Sequence, residues 1–302
     1  MTIFIHGTLK PVEFSFKDLV KVMRNNIDST IYCATAKRIR KDPFFYSGQA
    51  IQGLGLKKID NQSPSNGARC LKELYETQYN FLGNTTERSY YTFGWDGLLN
   101  RRKRYESAEY LYKELATEVK KLTEQGFEPK ITIIAYSHGA NVALNLVAVK
   151  HDNPHLDQNA FTIHQLVMLG APIQKETDYL VTDPLFEHIF NIYSSEDSIQ
   201  ALDIFSGKQF FSGKKFVKRG RFKVPSKITQ VRLRTIKSLR GLHKVTEQPE
   251  HPYELLNHKG IRFIHRDPGH TELWNFKWGD YWYRDIFPLN PLPAVTFIPP
   301  IS

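Results

Sequence analysis

The chain has 302 residues, of which 41% are hydrophobic and 13% aromatic, enough for a substantial core, and this composition excludes global disorder. Two cysteines, Cys33 and Cys70, do not make a disulfide framework or a metal motif, and no apolar run is long enough to span a bilayer. We therefore expect a soluble, cytoplasmic or peripheral membrane protein without a cleavable signal peptide.

The net charge of +10 is concentrated in one segment of the chain. Residues 203–245 hold thirteen Lys and Arg side chains and one acid, Asp203, whereas the remainder of the chain is slightly acidic. Phenylalanines alternate with cations between Phe205 and Lys223. This pattern favours contact with an anionic membrane surface over contact with nucleic acid. A solvated loop or a contact with an acidic protein is the alternative interpretation.

Five short runs of apolar and β-branched residues predict β-strands along the chain. These runs are Thr2–Ile5, 90–93, 131–135, 165–169 and 189–193. Helical spacing predicts helices over 69–81, 102–122 and 139–149. Strands that alternate with helices in this way predict an α/β fold with a mostly parallel sheet flanked by helices.

Three segments interrupt this alternation within what we interpret as a single domain over residues 1–302. Residues 9–89 separate the first two strands and are predicted to form a cap-like insertion. The basic, aromatic segment 203–245 is a second insertion, predicted to form a flap, in which 228–235 alternates like a strand. The proline-rich tail, 283–302, is predicted to be extended chain on the surface.

The most informative stretch is 131–141, in which an apolar strand leads into Ser137 and a helix follows. Small residues lie two positions before and two positions after this serine, at Ala135 and Gly139. A strained strand–helix turn requires small residues there, because the two backbones approach closely. Such a turn exposes the serine hydroxyl above the sheet edge, at the positive end of the helix dipole. Ser137 is therefore the candidate nucleophile.

A hydroxyl that attacks a carbonyl carbon creates an oxyanion, which two preorganised amide donors must stabilise. The amide of His138, directly after the candidate nucleophile, is the first predicted donor. The second is expected in the loop after the first strand, where Gly7 allows a sharp turn. We predict the amide of Thr8 as this donor, with that of Leu9 as the next choice.

Five short motifs carry a resemblance to a known family. They are His6-Gly-Thr8, Ala135-Tyr-Ser-His-Gly139, Leu169-Gly-Ala-Pro172, Tyr193-Ser-Ser-Glu-Asp197 and Gly269-His270. Together they resemble the lipase/esterase branch of the α/β-hydrolase superfamily, and segment 93–97, with its tryptophan, resembles the loop that borders the site in lipase-like hydrolases. The chain departs from the usual pattern in having Ala135 where a glycine is customary and in its long insertions.

The resemblance implies a catalytic triad in the chain order Ser, acid, His. Asp197 follows the second strand after the nucleophile strand and is the predicted acid, with Glu196 and then Asp183 as the next choices. His270 lies in a loop after a predicted last strand at 261–264 and is the predicted base, with His265 as its competitor.

The function that this resemblance implies is that of a serine hydrolase acting on carboxylic esters, with lipid-like or acyl substrates. A thioesterase or acyltransferase with the same triad, or a hydrolase-fold binding module without catalysis, is the alternative. No cofactor is expected, since no dinucleotide fingerprint is present. No metal site is expected either, because Pro154 separates the histidine pair His151 and His155.

Overall fold

A computed structural model describes residues 1–8, 27–41, 50–81, 83, 86–159, 161–195, 197 and 212–233. Within these residues, a seven-stranded sheet has the order β2-β3-β1-β4-β5-β6-β7. Each neighbouring pair is parallel except β2 and β3, which are antiparallel. The strands are β1 (Thr2–Ile5), β2 (Gly55–Lys58), β3 (Tyr90–Gly94), β4 (Ile131–Tyr136), β5 (Ile163–Leu169), β6 (Phe186–Ser194) and β7 (Ile228–Leu233).

Four α-helices are seen in the described residues: α1 (Ile31–Arg40), α2 (Asn66–Phe81), α3 (Arg101–Glu124) and α4 (His138–Asp152). The side chain of Asn100 caps α3 by accepting a hydrogen bond from the amide of Lys103, which satisfies one of the unpaired donors at the helix start. None of these helices combines the length and apolarity that a membrane span requires.

Helices cover both faces of the sheet. On one face, Ile3 and Ile133 pack in a core cluster with Leu111 of α3 and Leu146 of α4. On the other face, alternate strand residues pack against α2 in a second cluster, which contains Phe4, Ala68, Leu71, Tyr75 and Ile134. Because successive side chains of a strand point to opposite faces, the near-continuous apolar runs of β1 and β4 serve both clusters.

The predicted α/β class and mostly parallel sheet are confirmed, but two elements were not predicted. Gly55–Lys58 forms β2, an edge strand in which Leu56 packs against the core while both lysines are exposed. Helix α1 buries Tyr32 and Cys33 in a small separate cluster. These elements lie in the long segment that was predicted to form a cap, and β2 joins the main sheet. Residues 9–26 and 42–49 of that segment lie outside the described residues.

The described part of the basic segment, 212–233, is packed against the domain. Its strand β7 pairs with β6, and Phe216 is only 2% exposed within the main core cluster. Arg219 forms an ion pair with the buried carboxylate of Asp178. This part of the predicted flap is therefore built into the fold. Residues 203–211 and 234–245, and the predicted tail at 283–302, lie outside the described residues.

Candidate active site

The candidate site lies at the carboxyl edge of the parallel strands, where the loops after β1, β3, β4 and β6 meet. Ser137 follows β4, and its amide donates a hydrogen bond to the carbonyl of Leu169 at 2.8 Å. The amide of Gly170 in turn donates to the carbonyl of Ile192 at 2.9 Å. These bonds continue the hydrogen bonding of the sheet to its carboxyl edge, so the backbone of Ser137 is fixed in position. Crevices at this edge are the usual ligand sites of open α/β sheets.

Ser137 has a strained backbone. Its φ of 52° makes it the one non-glycine residue with positive φ among the described residues, and its ψ is −129°. Such a conformation costs about 1–3 kcal/mol and persists only where the surroundings impose it. Ser137 occupies the N-cap position of α4, yet its side chain makes no capping hydrogen bond. The predicted turn, in which a strained serine joins a strand to a helix, is therefore present. The side chain of Ser137 does not cap α4.

Two glycines are required because the loop after β1 touches this turn. A Cβ atom on Gly139 would lie 2.4 Å from the carbonyl oxygen of His6, and one on Gly7 would lie 2.9 Å from the Cβ atom of Ser137. Real Cβ atoms do not approach other atoms so closely. The backbone around Gly7 is thus held directly against the candidate nucleophile. This contact places the two predicted amide-bearing loops together.

A hydrogen-bonded network of His6 and Trp95 orients the loop after β1. The Trp95 amide donates to Nε2 of His6 at 3.2 Å, which assigns the ring proton to Nδ1, and Nδ1 lies 2.6 Å from the carbonyl oxygen of Gly7. The Trp95 indole N–H donates to the His6 carbonyl at 2.7 Å, and the two rings stack at 5.7 Å. In a trans peptide the N–H points opposite to the C=O. The Gly7 carbonyl and the Thr8 N–H belong to the same peptide unit. Because the carbonyl is held at the His6 ring, the Thr8 N–H points away from that ring.

The amide of His138 lies in the first turn of α4, where N–H groups have no acceptor within the helix. The partial positive charge of the helix start adds to the attraction that this amide has for an anion. The hydroxyl oxygen of Thr8 is buried and makes no hydrogen bond within the described part of the chain. A polar oxygen in that state marks a place where a polar group of a ligand can bind.

Asp197 lies beyond the end of β6 and is fully buried. Burial, together with the negative charge of Asp197, raises the pKa of Tyr136 well above its ordinary value, which places this carboxylate near the residue that precedes Ser137. Tyr136 and Ile192 both pair with Leu169 of β5, so β4 and β6 are two strand spacings apart, about 10 Å. Ser137 and Asp197 therefore follow two strands with only β5 between them.

The structure does not bring Asp183, the third choice for the acid, to this edge. Asp183 lies three residues before β6 begins, which is the amino edge of the sheet, and its carboxylate is 2.6 Å from Nε2 of His151. The predicted base His270, its competitor His265, the alternative acid Glu196 and the alternative donor Leu9 lie outside the described residues.

Asn141 supports the site and was not predicted from the sequence. Its side-chain amide donates to the carbonyl of Pro172 at 3.1 Å and lies 3.5 Å from Nδ1 of His138, and its oxygen accepts from the Thr177 hydroxyl at 2.9 Å. These bonds tie α4 to the loop after β5. The signal in the sequence is the presence of an asparagine one helical turn after the candidate serine.

Within the described residues, the single cluster of three side chains able to hold a metal ion lies at the opposite edge of the sheet. In comparisons with known proteins, no family model matches this chain and no curated protein matches it significantly. The sheet and its layers are compatible with an α/β-hydrolase fold, and functional assignment rests on the geometry of the site.

Replacing Gly139 by alanine tests whether backbone contact maintains the site. We expect Gly139→Ala to lower the free energy of unfolding by about 3 kcal/mol, because the added methyl group meets a backbone carbonyl that cannot rotate away. Gly213→Ala is the matched control, since its Cβ would lie 3.3 Å from the nearest atom, and the loss there should stay below about 1 kcal/mol. Urea unfolding measures both, and equal losses would contradict the steric account.

Proposed function

We propose that the protein is a serine hydrolase of the α/β-hydrolase fold, lipase/esterase-like, which cleaves carboxylic esters through Ser137, His270 and Asp197. The observation that carries the proposal is the strained backbone of Ser137 at the strand–helix turn. Strain of this kind is retained at functional sites, and in a strand–helix turn it is the feature that holds a nucleophilic serine at the sheet edge.

In the proposed reaction, the hydroxyl oxygen of Ser137 attacks the ester carbonyl carbon while His270 takes the hydroxyl proton. The oxyanion accepts hydrogen bonds from the amides of His138 and Thr8. Collapse of the tetrahedral intermediate breaks the bond to the alcohol, which leaves with the proton from His270. Water then hydrolyses the acyl-enzyme by the same steps and regenerates Ser137.

The oxyanion donors are supported by their preorganisation. Helix α4 fixes the His138 amide, and the contact of Gly7 with Ser137 fixes the other loop at the same place. The His6 bond to the Gly7 carbonyl keeps the Thr8 amide in one orientation. Donors that need no rearrangement when charge develops contribute most to stabilising it, and each is worth roughly 10²- to 10³-fold in rate.

The role of Asp197 is supported by its burial beside the nucleophile turn. A buried carboxylate interacts more strongly with a nearby positive charge than an exposed carboxylate does. An imidazole that becomes a cation during the reaction provides such a charge, and the carboxylate holds the ring in the tautomer that accepts the serine proton. A thioesterase or acyltransferase would use the same groups with a different leaving group or acceptor, and a non-catalytic binding module would lack the reactivity.

A fluorophosphonate probe tests the proposed nucleophile. We expect the wild-type chain to be labelled covalently and to hydrolyse nitrophenyl esters, and Ser137→Ala to lose both activities, because the attacking oxygen is gone. Ser107→Ala is the control, since that hydroxyl donates to the Lys103 carbonyl within α3, far along the chain from the turn. A folded wild-type protein that is not labelled would favour the non-catalytic alternative.

A pair of neighbouring substitutions tests the proposed acid. We expect Asp197→Asn to lower kcat for a nitrophenyl ester by roughly 10³- to 10⁴-fold, because the amide stabilises the wrong imidazole tautomer and no imidazolium. Glu196→Gln removes the same charge one residue earlier and should leave kcat within a few-fold of wild type. The reverse pattern would assign the acid to Glu196. If neither substitution lowers kcat, the proposed triad would be contradicted.

We further propose that the hydrolase works at an anionic membrane surface and that its substrates are lipid-like esters. The described residues 212–233 contain eight Lys and Arg and no acid. Lys215, Lys218, Arg221 and Lys223 are exposed, whereas Phe216 and Phe222 pack in or against the core. The described docking surface is therefore electrostatic, with cations that can meet lipid headgroups.

Vesicle flotation tests this surface. Replacing Lys215, Lys218, Arg221 and Lys223 together by glutamine should reduce binding to phosphatidylserine-containing vesicles by roughly 100-fold or more, since each cation near such a surface contributes about 1 kcal/mol. The control variant exchanges Lys37, Lys57, Lys58 and Lys130, which removes the same charge elsewhere. Binding that depends equally on both sets, or that single-stranded DNA prevents more effectively than added salt, would contradict a specific lipid surface.

A further inference from the structure

The amino edge of the sheet carries a cluster of ligand-type side chains that the proposed hydrolase does not use. His164 lies near the start of β5, and Glu187 and His188 lie near the start of β6. One ring nitrogen of each histidine and one carboxylate oxygen lie within 4.8 Å of one another. Since Ser137 follows the carboxyl end of β4, a parallel neighbour of β5, this cluster is at the opposite edge from the candidate active site.

We propose that His164, Glu187 and His188 form a binding site for a divalent transition metal ion, with Zn²⁺ as the preferred ion. Two imidazoles and one carboxylate are a common zinc ligand set, in which water takes the fourth position. Imidazole nitrogen favours zinc, copper or nickel, whereas magnesium and calcium select oxygen ligands.

The geometry needs little change to close around an ion. Zinc ligands at about 2.0–2.2 Å in a tetrahedron are about 3.4 Å from one another, so rotations of the side chains bring the three atoms into place. Nδ1 of His164 is already 2.7 Å from one oxygen of Glu187, and the His164 and His188 rings are 5.6 Å apart at an angle of 89°. The ion would replace the hydrogen bond between His164 and Glu187.

Neighbouring residues hold the ligands in place and leave them accessible. The hydroxyl of Thr162 donates to the other oxygen of Glu187 at 3.1 Å, which is the kind of outer contact that orients a metal-binding carboxylate. Strand β7 pairs with β6 only from Ile189 onward, so no described strand covers Glu187 and His188, and both are exposed. An ion therefore has an open path to the cluster, and when bound it would join β5 to β6.

Zinc titration of the full, untagged, chelator-treated chain tests the site. We expect calorimetry to show a saturable Zn²⁺ site whose affinity falls at least roughly tenfold in His188→Ala and in Glu187→Gln. The glutamine variant keeps the shape of the side chain and guards against a folding defect. His155→Ala, an exposed histidine outside the cluster, should bind zinc like the wild type.

Two further readouts separate this site from other histidines of the chain and from the proposed hydrolase. Zinc should shift the imidazole resonances of His164 and His188 in nuclear magnetic resonance spectra, and it should raise Tm of the wild type more than Tm of His188→Ala. Fluorophosphonate labelling should be the same in all three variants. Zinc binding that is absent, or equal in His188→Ala and wild type, would overturn the proposal.

Discussion

The site depends on the contact between two backbones, that of the loop after β1 and that of the first turn of α4. Gly139 lets the helix start lie against the His6 carbonyl, and Gly7 lets the loop lie against Ser137. The strain at Ser137 can be maintained because α4 is buried on nearly all sides, from His138 through Val147. A helix packed in this way cannot shift to relax one residue at its end. Close packing thus maintains the unfavourable φ of Ser137 and fixes the position of its side chain.

Local sequence pattern was sufficient for the central elements and insufficient for the edge. The apolar runs of β1 and β4 and the small residues around Ser137 specify strand, turn and helix without knowledge of distant contacts. Strand β2 has the sequence Gly-Leu-Lys-Lys, in which Leu56 is the one large apolar side chain that packs against the core. The strand conformation of β2 is therefore imposed by pairing with β3. Helix α1 similarly depends on Ile27 and Leu98, which are distant in sequence from each other. Tertiary contacts of this kind leave little periodicity to detect.

The same distinction applies to the site. The position of Ser137 and the chain order of Asp197 after β6 could be predicted, because each follows directly from a strong strand signal. The bond between Nδ1 of His6 and the Gly7 carbonyl could not be predicted. It depends on β1 and β3 being neighbours, because the Trp95 amide then donates to Nε2, on the other side of the imidazole ring. The sequence did contain a hint, because His6 and Trp95 both follow strand ends. Whether two strand ends are adjacent is decided by the sheet order, which local pattern does not encode.

The basic segment shows how one stretch of chain can serve both the fold and a surface. Some of its cations are tied to the domain: Arg219 compensates the buried charge of Asp178, and Lys214 and Arg232 donate to the carbonyl and hydroxyl of Ser195. Phe216 fills the core beside them. The cations that remain exposed are therefore presented by a frame that is already fixed, and ordering them at an anionic surface costs less entropy than ordering a loose loop. Since Ser195 and Asp197 both follow β6, this frame and the proposed acid share one anchor at the carboxyl edge of the sheet.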